Sequence, residues 1–443
     1  MKKSVLLSLI MAVGLIVPMV FAGGTSDASK ASSQPKSGTL KIWSMLTQTE
    51  RAAEFENLAL MYEAANPGVK VEITVMPWTG AMDKVVSSIM AGNPPDITVC
   101  GNGWPQTLAG TGGIMELSKL IDAIGGKQSF LGTSLNLGTY EDGYYAIPLY
   151  VTPYVTYYRE SWLKEAGITK LPATWEEYYD MCKAVTNPAK NRYGFGIPLG
   201  DLHGWKTIWT LLQSNGVDLI NVDAKGNWYV DVNAADRAAI IEVYNYLFRL
   251  IRDCSPAGTV SYTQTNVREL VAQGTIMSRI DTPEIYYNVR AMDPEHLDDV
   301  SFFSFPGRKT VGSGLGWVGL NVLTKGNTDL ASDFIRFIFE GNRMVDFYTS
   351  YPYAMFPAKS DMFENRDYQA KLPDEIKILV PDMALEILDH ATGLLQANGP
   401  FPGAGEAESR SVLGNPLSNM LIRGISAEQA ADQLIAELKS LIE

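Results

Sequence analysis

Histidine and cysteine are scarce in this 443-residue chain, with three of each. Cys100, Cys182 and Cys254 lie far apart and form no C-x-x-C, so the spacing of thiolate metal sites and dithiol redox centres is absent. Small buried thiols are one reading of them, and one disulfide with a free thiol is the other. His203, His296 and His390 are isolated from one another and from cysteine, and neither H-E-x-x-H nor a P-loop occurs. The sequence therefore supports no metal site and no cofactor. Basic charge is also short: 36 Lys and Arg face 49 Asp and Glu, a net −13, which disfavours nucleic acid and anionic membrane as partners. Beyond the N-terminus no stretch approaches eighteen uncharged apolar residues, so no transmembrane helix is expected.

What is present begins with a leader. Lys2 and Lys3 precede an apolar run from Ser4 to Val17, and small residues at Val20 and Ala22 mark a cleavage site. Residues 1–22 read as a signal peptide, and the mature chain, 34 basic against 49 acidic residues, carries −15. No cysteine stands directly after the cleavage site, the first being Cys100, so no lipid anchor is implied and a soluble, periplasmic protein is expected. Residues 23–38 are nearly devoid of large apolar side chains and read as a flexible spacer. The length and the 46% apolar content point to two or three domains.

Along the chain, Thr39 to Trp43 reads as a strand and Gln48 to Ala65 as a helix ended by Asn66-Pro67-Gly68. Val69 to Val75 alternates as a strand, Met82 to Met90 is helical, and Asp96 to Val99 is a buried strand. This order predicts an α/β layer with a largely parallel sheet. From Tyr144 to Arg159 the chain turns aromatic, and the alternation in Val151 to Tyr158 reads as a strand that crosses between domains. Helices are predicted after a capping box at Thr174 to Glu177, over Asp236 to Ile251, over Leu330 to Phe339, and after a second box at Ser426 to Gln429. Met277 to Ile280 and Val300 to Phe305 read as strands returning toward the first domain, and Gly319 to Leu323 as another. There is no internal repeat.

Nine tryptophans are scattered through the sequence, at 43, 78, 104, 162, 175, 205, 209, 228 and 317. Their flat apolar faces suit the C–H faces of sugar rings as well as a core. Gly314-Leu315-Gly316-Trp317-Val318-Gly319 spells a dinucleotide fingerprint but precedes a strand where the fingerprint needs a helix. The better reading is a loop whose glycines let the backbone approach a ligand under Trp317. Asp201-Leu202-His203-Gly204-Trp205, with Trp209 following, reads either as a loop entering a helix with both indoles in the core or as a hydrogen-bonding and stacking patch. Glu176-Glu177 and Asp298-Asp299 are adjacent pairs that point apart. They do not make the facing carboxylates of a glycosidase, although distant acids can converge.

From Gly38 onward the chain resembles the family 1 extracellular solute-binding proteins of ABC importers. The residues carrying the likeness are Phe55 to Val75, Met90 to Ile97, Gly143 to Pro148, Tyr157-Tyr158-Arg159, Leu171 to Glu177, Gly316-Trp317 and Phe356 to Lys359. The resemblance implies a two-lobed periplasmic-binding-protein fold of type II, an α/β architecture with its ligand cleft between lobes joined by crossing segments. Lobe 1 is expected over 39–152 and 303–350, and lobe 2 over 153–302 and 351–443. It implies a cleft lined by Trp43, Ser44, Asn102, Trp104, Tyr150, Thr152, Tyr154, Gly316 and Trp317, with Trp78, His203, Trp205 and Trp209 as further aromatic and polar candidates. Relatives have an acid where this chain has Thr152, and Gly-x-Trp where it has Ile280 to Glu284. Asp281 is the expected replacement acceptor, and Trp205 or Trp209 the replacement platform. The implied function is capture of a sugar or oligosaccharide and its delivery to a membrane permease by a monomer, without turnover. A secreted glycoside hydrolase and a surface interaction protein are the rival readings.

Overall fold

The structure is a computed structural model that describes residues 36–373 apart from 313, residue 376, and residues 391–442. The leader, nearly all of the spacer and His390 lie outside the described residues. The first half begins with β1 (Ser37–Ser44), α1 (Thr49–Ala65), β2 (Gly68–Val75), α2 (Ala81–Met90), β3 (Ile97–Cys100) and α3 (Trp104–Gly110). β1 pairs in parallel with both β2 and β3, the outcome expected when helices carry the chain back over one face.

β4 (Ile147–Pro153) belongs to this first sheet and β5 (Val155–Arg159) to a second, with Tyr154 alone between them. The aromatic stretch thus makes the crossing that its alternation suggested. Then follow α4 (Trp175–Val185), β6 (Tyr193–Phe195), α5 (Trp205–Ser214), α6 (Ala234–Cys254), α7 (Gln264–Ala272), β7 (Ile276–Asp281), α8 (Ile285–Met292) and β8 (Val300–Phe303). The second sheet runs β8-β5-β7-β6. β7 and β8 were expected to return to the first domain, yet both pair antiparallel with β5 in the second. The chain goes back with β9 (Leu315–Val322), which starts four residues earlier than its pattern suggested and lies antiparallel between β4 and β3. The first sheet, β10-β4-β9-β3-β1-β2, is therefore mixed where a largely parallel one was expected. A strand that re-enters from the neighbouring lobe is free of the βαβ crossover that enforces parallel pairing.

After α9 (Thr328–Phe339) and α10 (Met344–Ser350), the two-residue strand β10 (Phe356–Pro357) pairs with β4. Residues 351–372, expected in the second lobe, touch both: Tyr368 meets Tyr348 of α10 edge-on at 6.3 Å, while Tyr351 and Tyr353 stack on Tyr287 and Tyr286 of α8 at 3.7 Å. β10 needs β4 as its partner, and that strand is in the first sheet. From Leu394 the chain is in the second core, with α11 (Ala404–Ser409), α12 (Gly414–Arg423) and α13 (Ala427–Lys439). The Ser426 capping box forms at α13. At α4, Thr174 accepts from Glu177 N, but the Glu177 carboxylate turns to Ala173 N, so only half of the expected box closes.

Aromatic contacts knit both lobes, and one of the two core clusters runs on from the first sheet to one face of the second. In the first lobe, Tyr62 meets Phe334 edge-on at 5.3 Å and Phe55 meets the same ring at 6.4 Å, locking α1 to α9. In the second lobe, Tyr178 meets Phe305 at 5.1 Å and Trp175 donates through Nε1 to Pro306 O at 3.0 Å. Each such ring contributes roughly 1.5–3 kcal/mol by burial. The three cysteines are buried free thiols.

Candidate functional site

The ends of the parallel strands carry the first-lobe residues. Trp43, at the end of β1, is half-buried with Lys84 Nζ 5.0 Å over its ring. Ser44 is buried, and its hydroxyl accepts from Leu46 N. Beyond β3 the turn Gly101-Asn102-Gly103 delivers Trp104 to the start of α3. Trp104 meets Trp78 edge-on at 5.7 Å, and Trp78 is 38% exposed. A side chain at 101 would press on the Trp78 ring. Asn102 donates through Nδ2 to Leu315 O at 2.9 Å, tying the turn to the crossing strand.

The crossover is organised around Tyr154. Its backbone N donates to Gly314 O at 3.0 Å, its ring meets Trp205 edge-on at 5.4 Å, and Lys206 Nζ lies 5.4 Å from its centroid. Trp205 is 3% exposed and donates through Nε1 to Glu408 Oε1 at 3.0 Å. Glu408 belongs to α11, whose Gly405 comes against Gly103 of the first lobe: a Cβ at 103 would lie 2.5 Å from Gly405 N. One patch therefore joins the turn after β3, Tyr154, the start of α5 and α11. His203 sits at its edge, a third exposed, with its N–H on Asp201 Oδ1 and its ring Nδ1 3.3 Å from Asp201 Oδ2. Burial raises the Glu408 carboxyl above its ordinary range, against the opposing pull of His203, the Trp205 N–H and Lys206.

Several expected cleft residues are placed elsewhere. Trp317 is 2% exposed in the first core, donates through Nε1 to Ser134 O at 2.8 Å, and lies over Gly319. Trp209 is buried in the second core with Nε1 on Thr392 Oγ1. From Leu315 on, the glycine run belongs to β9 rather than to a loop, with Gly314 just before it. Gly314 makes room for the rings of Tyr154 and Trp209, and Gly316 for Thr152, so they accommodate the protein's own side chains. Thr152 donates to Ala354 O, and the Tyr150 hydroxyl accepts from Arg51 Nη1 at 2.8 Å.

Asp281, expected as a free acceptor, is fully engaged. Arg268 Nε reaches Asp281 Oδ2 at 2.8 Å, Arg268 Nη2 reaches Oδ1 at 3.2 Å, and Lys206 Nζ lies 3.4 Å from Oδ1. Arg279 Nη2 is 2.8 Å from Oδ2 but off the line for a hydrogen bond. Burial would raise this carboxyl, but Arg268, Arg279 and Lys206 overcome it and hold Asp281 well below the carboxylate range. Glu284 continues the chain of charges, with Arg268 Nη1 at 2.9 Å on one side and Arg51 Nη2 of α1 at 3.1 Å on the other.

Sequence reasoning missed Glu408, Gly405, Arg51, Lys206 and Arg268. The signal available for the first two was Gly399-Pro400-Phe401-Pro402-Gly403, a loop rich in turn formers placed just before a short acidic helix. The basic residues lie within helices and carry no local mark. A wide groove of about 740 Å³ between α4 and α6, lined by Trp175, Tyr246 and Arg249, holds none of the residues of the patch. Among the described residues no group of His, Cys, Asp and Glu could hold a metal ion, and no helix is long and apolar enough to cross a membrane.

Comparison with known proteins gives a consistent result. The diacetylchitobiose binding protein DasA of Streptomyces coelicolor is 29% identical over 360 residues, 75% of this chain and 77% of its own. A Brucella abortus protein named as a binding protein is 23% identical over 242 residues, 54% of this chain and 57% of its own length. A solute-binding protein of an ABC transporter from Thermotoga lettingae, solved with α-D-tagatose, superposes with a TM-score of 0.77 at 18% identity. It covers 92% of this chain and all of its own. Maltose-bound MalE3 of T. maritima gives 0.75 at 19% identity, over 91% and 99%. These structures share the two-lobed fold, as expected. The family model for bacterial extracellular solute-binding proteins matches residues 47–340, about two thirds of the chain, and the chain belongs to that family.

Proposed function

We propose that this protein is the extracytoplasmic receptor of an ABC importer, capturing a sugar or oligosaccharide between its lobes and presenting it to the permease unchanged. The observation that carries the reading is the patch at the lobe junction. Tyr154 and Trp205 set two buried aromatic rings edge-on at this junction, Glu408 has one carboxylate oxygen on the Trp205 N–H, and the Gly103–Gly405 contact brings the lobes together beside them. Aromatic faces give area and a fixed acceptor gives identity, because a buried acceptor left without its hydroxyl partner costs about 1–3 kcal/mol. Family membership supports the same reading, and so do the sugars named for DasA and for the Thermotoga proteins. Asp281 and Glu284 are fastened to arginines and offer no second free carboxylate for hydrolysis. The protein acts as a soluble periplasmic monomer after cleavage behind Ala22.

A thermal-shift screen over mono- and oligosaccharides, with N,N′-diacetylchitobiose among them, tests the proposal. A ligand at one hundred times its Kd stabilises the native state by roughly 2.7 kcal/mol. Chromatography must then recover the sugar intact. Absence of any shift across the screen counts against carbohydrate, and a shortened sugar counts for the hydrolase. Intact mass of protein from its native envelope tests cleavage after Ala22, and an acyl adduct would contradict it.

A further inference from the structure

Three buried side-chain amides near the lobe junction have atoms left unpaired. Asn102 donates through Nδ2 to Leu315 O at 2.9 Å, and Gln106 through Nε2 to Leu137 O at 3.0 Å and Thr139 O at 2.6 Å. Those carbonyls fix which end of each amide is the nitrogen. The unpaired atoms are therefore oxygens: neither Asn102 Oδ1 nor Gln106 Oε1 has a hydrogen-bond partner among the described residues. Gln396 is less satisfied still, because both its Oε1 and its Nε2 lack a partner there while the residue is only 5% exposed. Folded proteins leave few such groups, since each loses the water it held in the unfolded chain.

A strained turn holds Gln396 in place. Its N–H closes the turn on Gly393 O at 3.1 Å, and Leu395 sits at φ +57°, a left-handed conformation that leucine seldom adopts. Gly393 supplies the room, because a Cβ there would lie 2.3 Å from Gln396 Oε1 and 2.8 Å from Leu137 Cδ2. Leu394 and Leu395 are in the second core. A second-lobe residue thus sets its amide beside Leu137, whose carbonyl is held by Gln106 of the first lobe. Leu315 ties the same turn to Asn102: its N–H donates to Thr392 O at 3.0 Å, and its carbonyl accepts from Asn102. The charges at the junction balance, with Arg51, Lys206, Arg268 and Arg279 beside Asp201, Asp281, Glu284 and Glu408. What the junction lacks is hydrogen-bond partners, not an ion.

Building on the carbohydrate reading, we infer that Gln396 determines which solute is accepted, its amide pairing with two adjacent hydroxyls of one sugar ring. One hydroxyl donates to Oε1 and its neighbour accepts from Nε2, while Asn102 Oδ1 accepts from a third. A side-chain amide carries its acceptor and its donors side by side, which matches hydroxyls on neighbouring ring carbons. With the lobes apart, water serves these groups; with the lobes together, the solute does. A sugar without one of the hydroxyls leaves its partner buried and unpaired, and is rejected.

Calorimetric titration of the whole protein and of Gln396→Met tests this, using maltose, cellobiose, N,N′-diacetylchitobiose and D-tagatose, and then the monodeoxy forms of whichever binds. Met keeps the length of the side chain and has no atom that needs a partner, so urea unfolding of the ligand-free variant should show stability held or raised. Its affinity for the sugar should fall about tenfold or more. Two monodeoxy forms, lacking neighbouring hydroxyls, should each lose about tenfold on the unaltered protein and less than about threefold on the variant, because the group they would pair with is already gone. A variant that unfolds, or whose stability falls along with its affinity, would make Gln396 a residue of the fold and overturn the inference. Deoxy forms that lose equally on both proteins would overturn it too, and in either case sugar binding by the unaltered protein leaves the carbohydrate reading standing. No binding of any of the four sugars overturns both.

Discussion

Replacing Gly103 by Ala should leave both lobes folded and keep them from meeting fully. Gly103 has φ +78°, and an L-residue held in that region costs roughly 1–2 kcal/mol whether the lobes are apart or together. The added methyl would also lie 2.5 Å from Gly405 N and 2.9 Å from its Cα. Both are backbone atoms of the opposite lobe, so neither can turn aside, and relief comes only from moving the turn away from α11. Overpacking of this kind costs typically about 1–3 kcal/mol. That second cost falls on the joined form alone, which makes it a loss of about 5- to 150-fold in solute affinity. Unfolding in urea should register only the first cost. Gly405→Ala is the control, because a Cβ there meets nothing closer than 3.8 Å and Ala suits a helix. Calorimetric titration and urea unfolding of the three proteins would decide. Unaltered affinity in the Gly103 variant would refute the contact as a feature of the bound form.

Three other outcomes are expected. Glu408→Gln should weaken solute binding by about tenfold or more. It should also stabilise the ligand-free protein as pH rises from about 5 to about 8, because a carboxyl raised by burial keeps its proton longer in the folded state and its ionisation then costs stability. Unfolding curves at the two ends of that range check the sign. Asp281→Asn should cost about 3–5 kcal/mol in denaturant unfolding by leaving Arg268, Arg279 and Lys206 buried with one carboxylate fewer. Trp317→Ala should cost about 3–5 kcal/mol of ligand-free stability, whereas Trp205→Ala should lose binding beyond its loss of stability. Equal ratios in the two variants would mean that Trp205 is only a core residue.

Alternation and turn residues made most of the first lobe legible. Val69 to Val75 and Asn66-Pro67-Gly68 are local signals for a strand and a helix stop, and they gave elements close to those observed. The return of β9 and the docking of 351–372 were not legible, because strand partners are chosen by long-range pairing that leaves no period in the sequence. The site shows the same split. Tyr154 and Trp205 announced themselves as aromatics in a crossing segment and a polar cluster. Trp317 and Trp209 are aromatics of the same kind, all four rings are buried, and only their long-range partners separate the pairs: Ser134 and Thr392 for Trp317 and Trp209, Glu408 at the lobe junction for Trp205. Asp281 looked like an acceptor because its arginine partners are 13 residues upstream and two residues upstream, on a helix and on its own strand. Glu408 is 203 residues from its indole partner, and nothing near it in the sequence points to Trp205.

The claim that the lobes close on an intact sugar is tested most directly by small-angle scattering during a titration with whichever sugar binds in calorimetry. The account predicts a radius of gyration that falls with saturation, follows the binding isotherm and returns when the unchanged sugar is dialysed away. A radius that stays constant through saturation would contradict it.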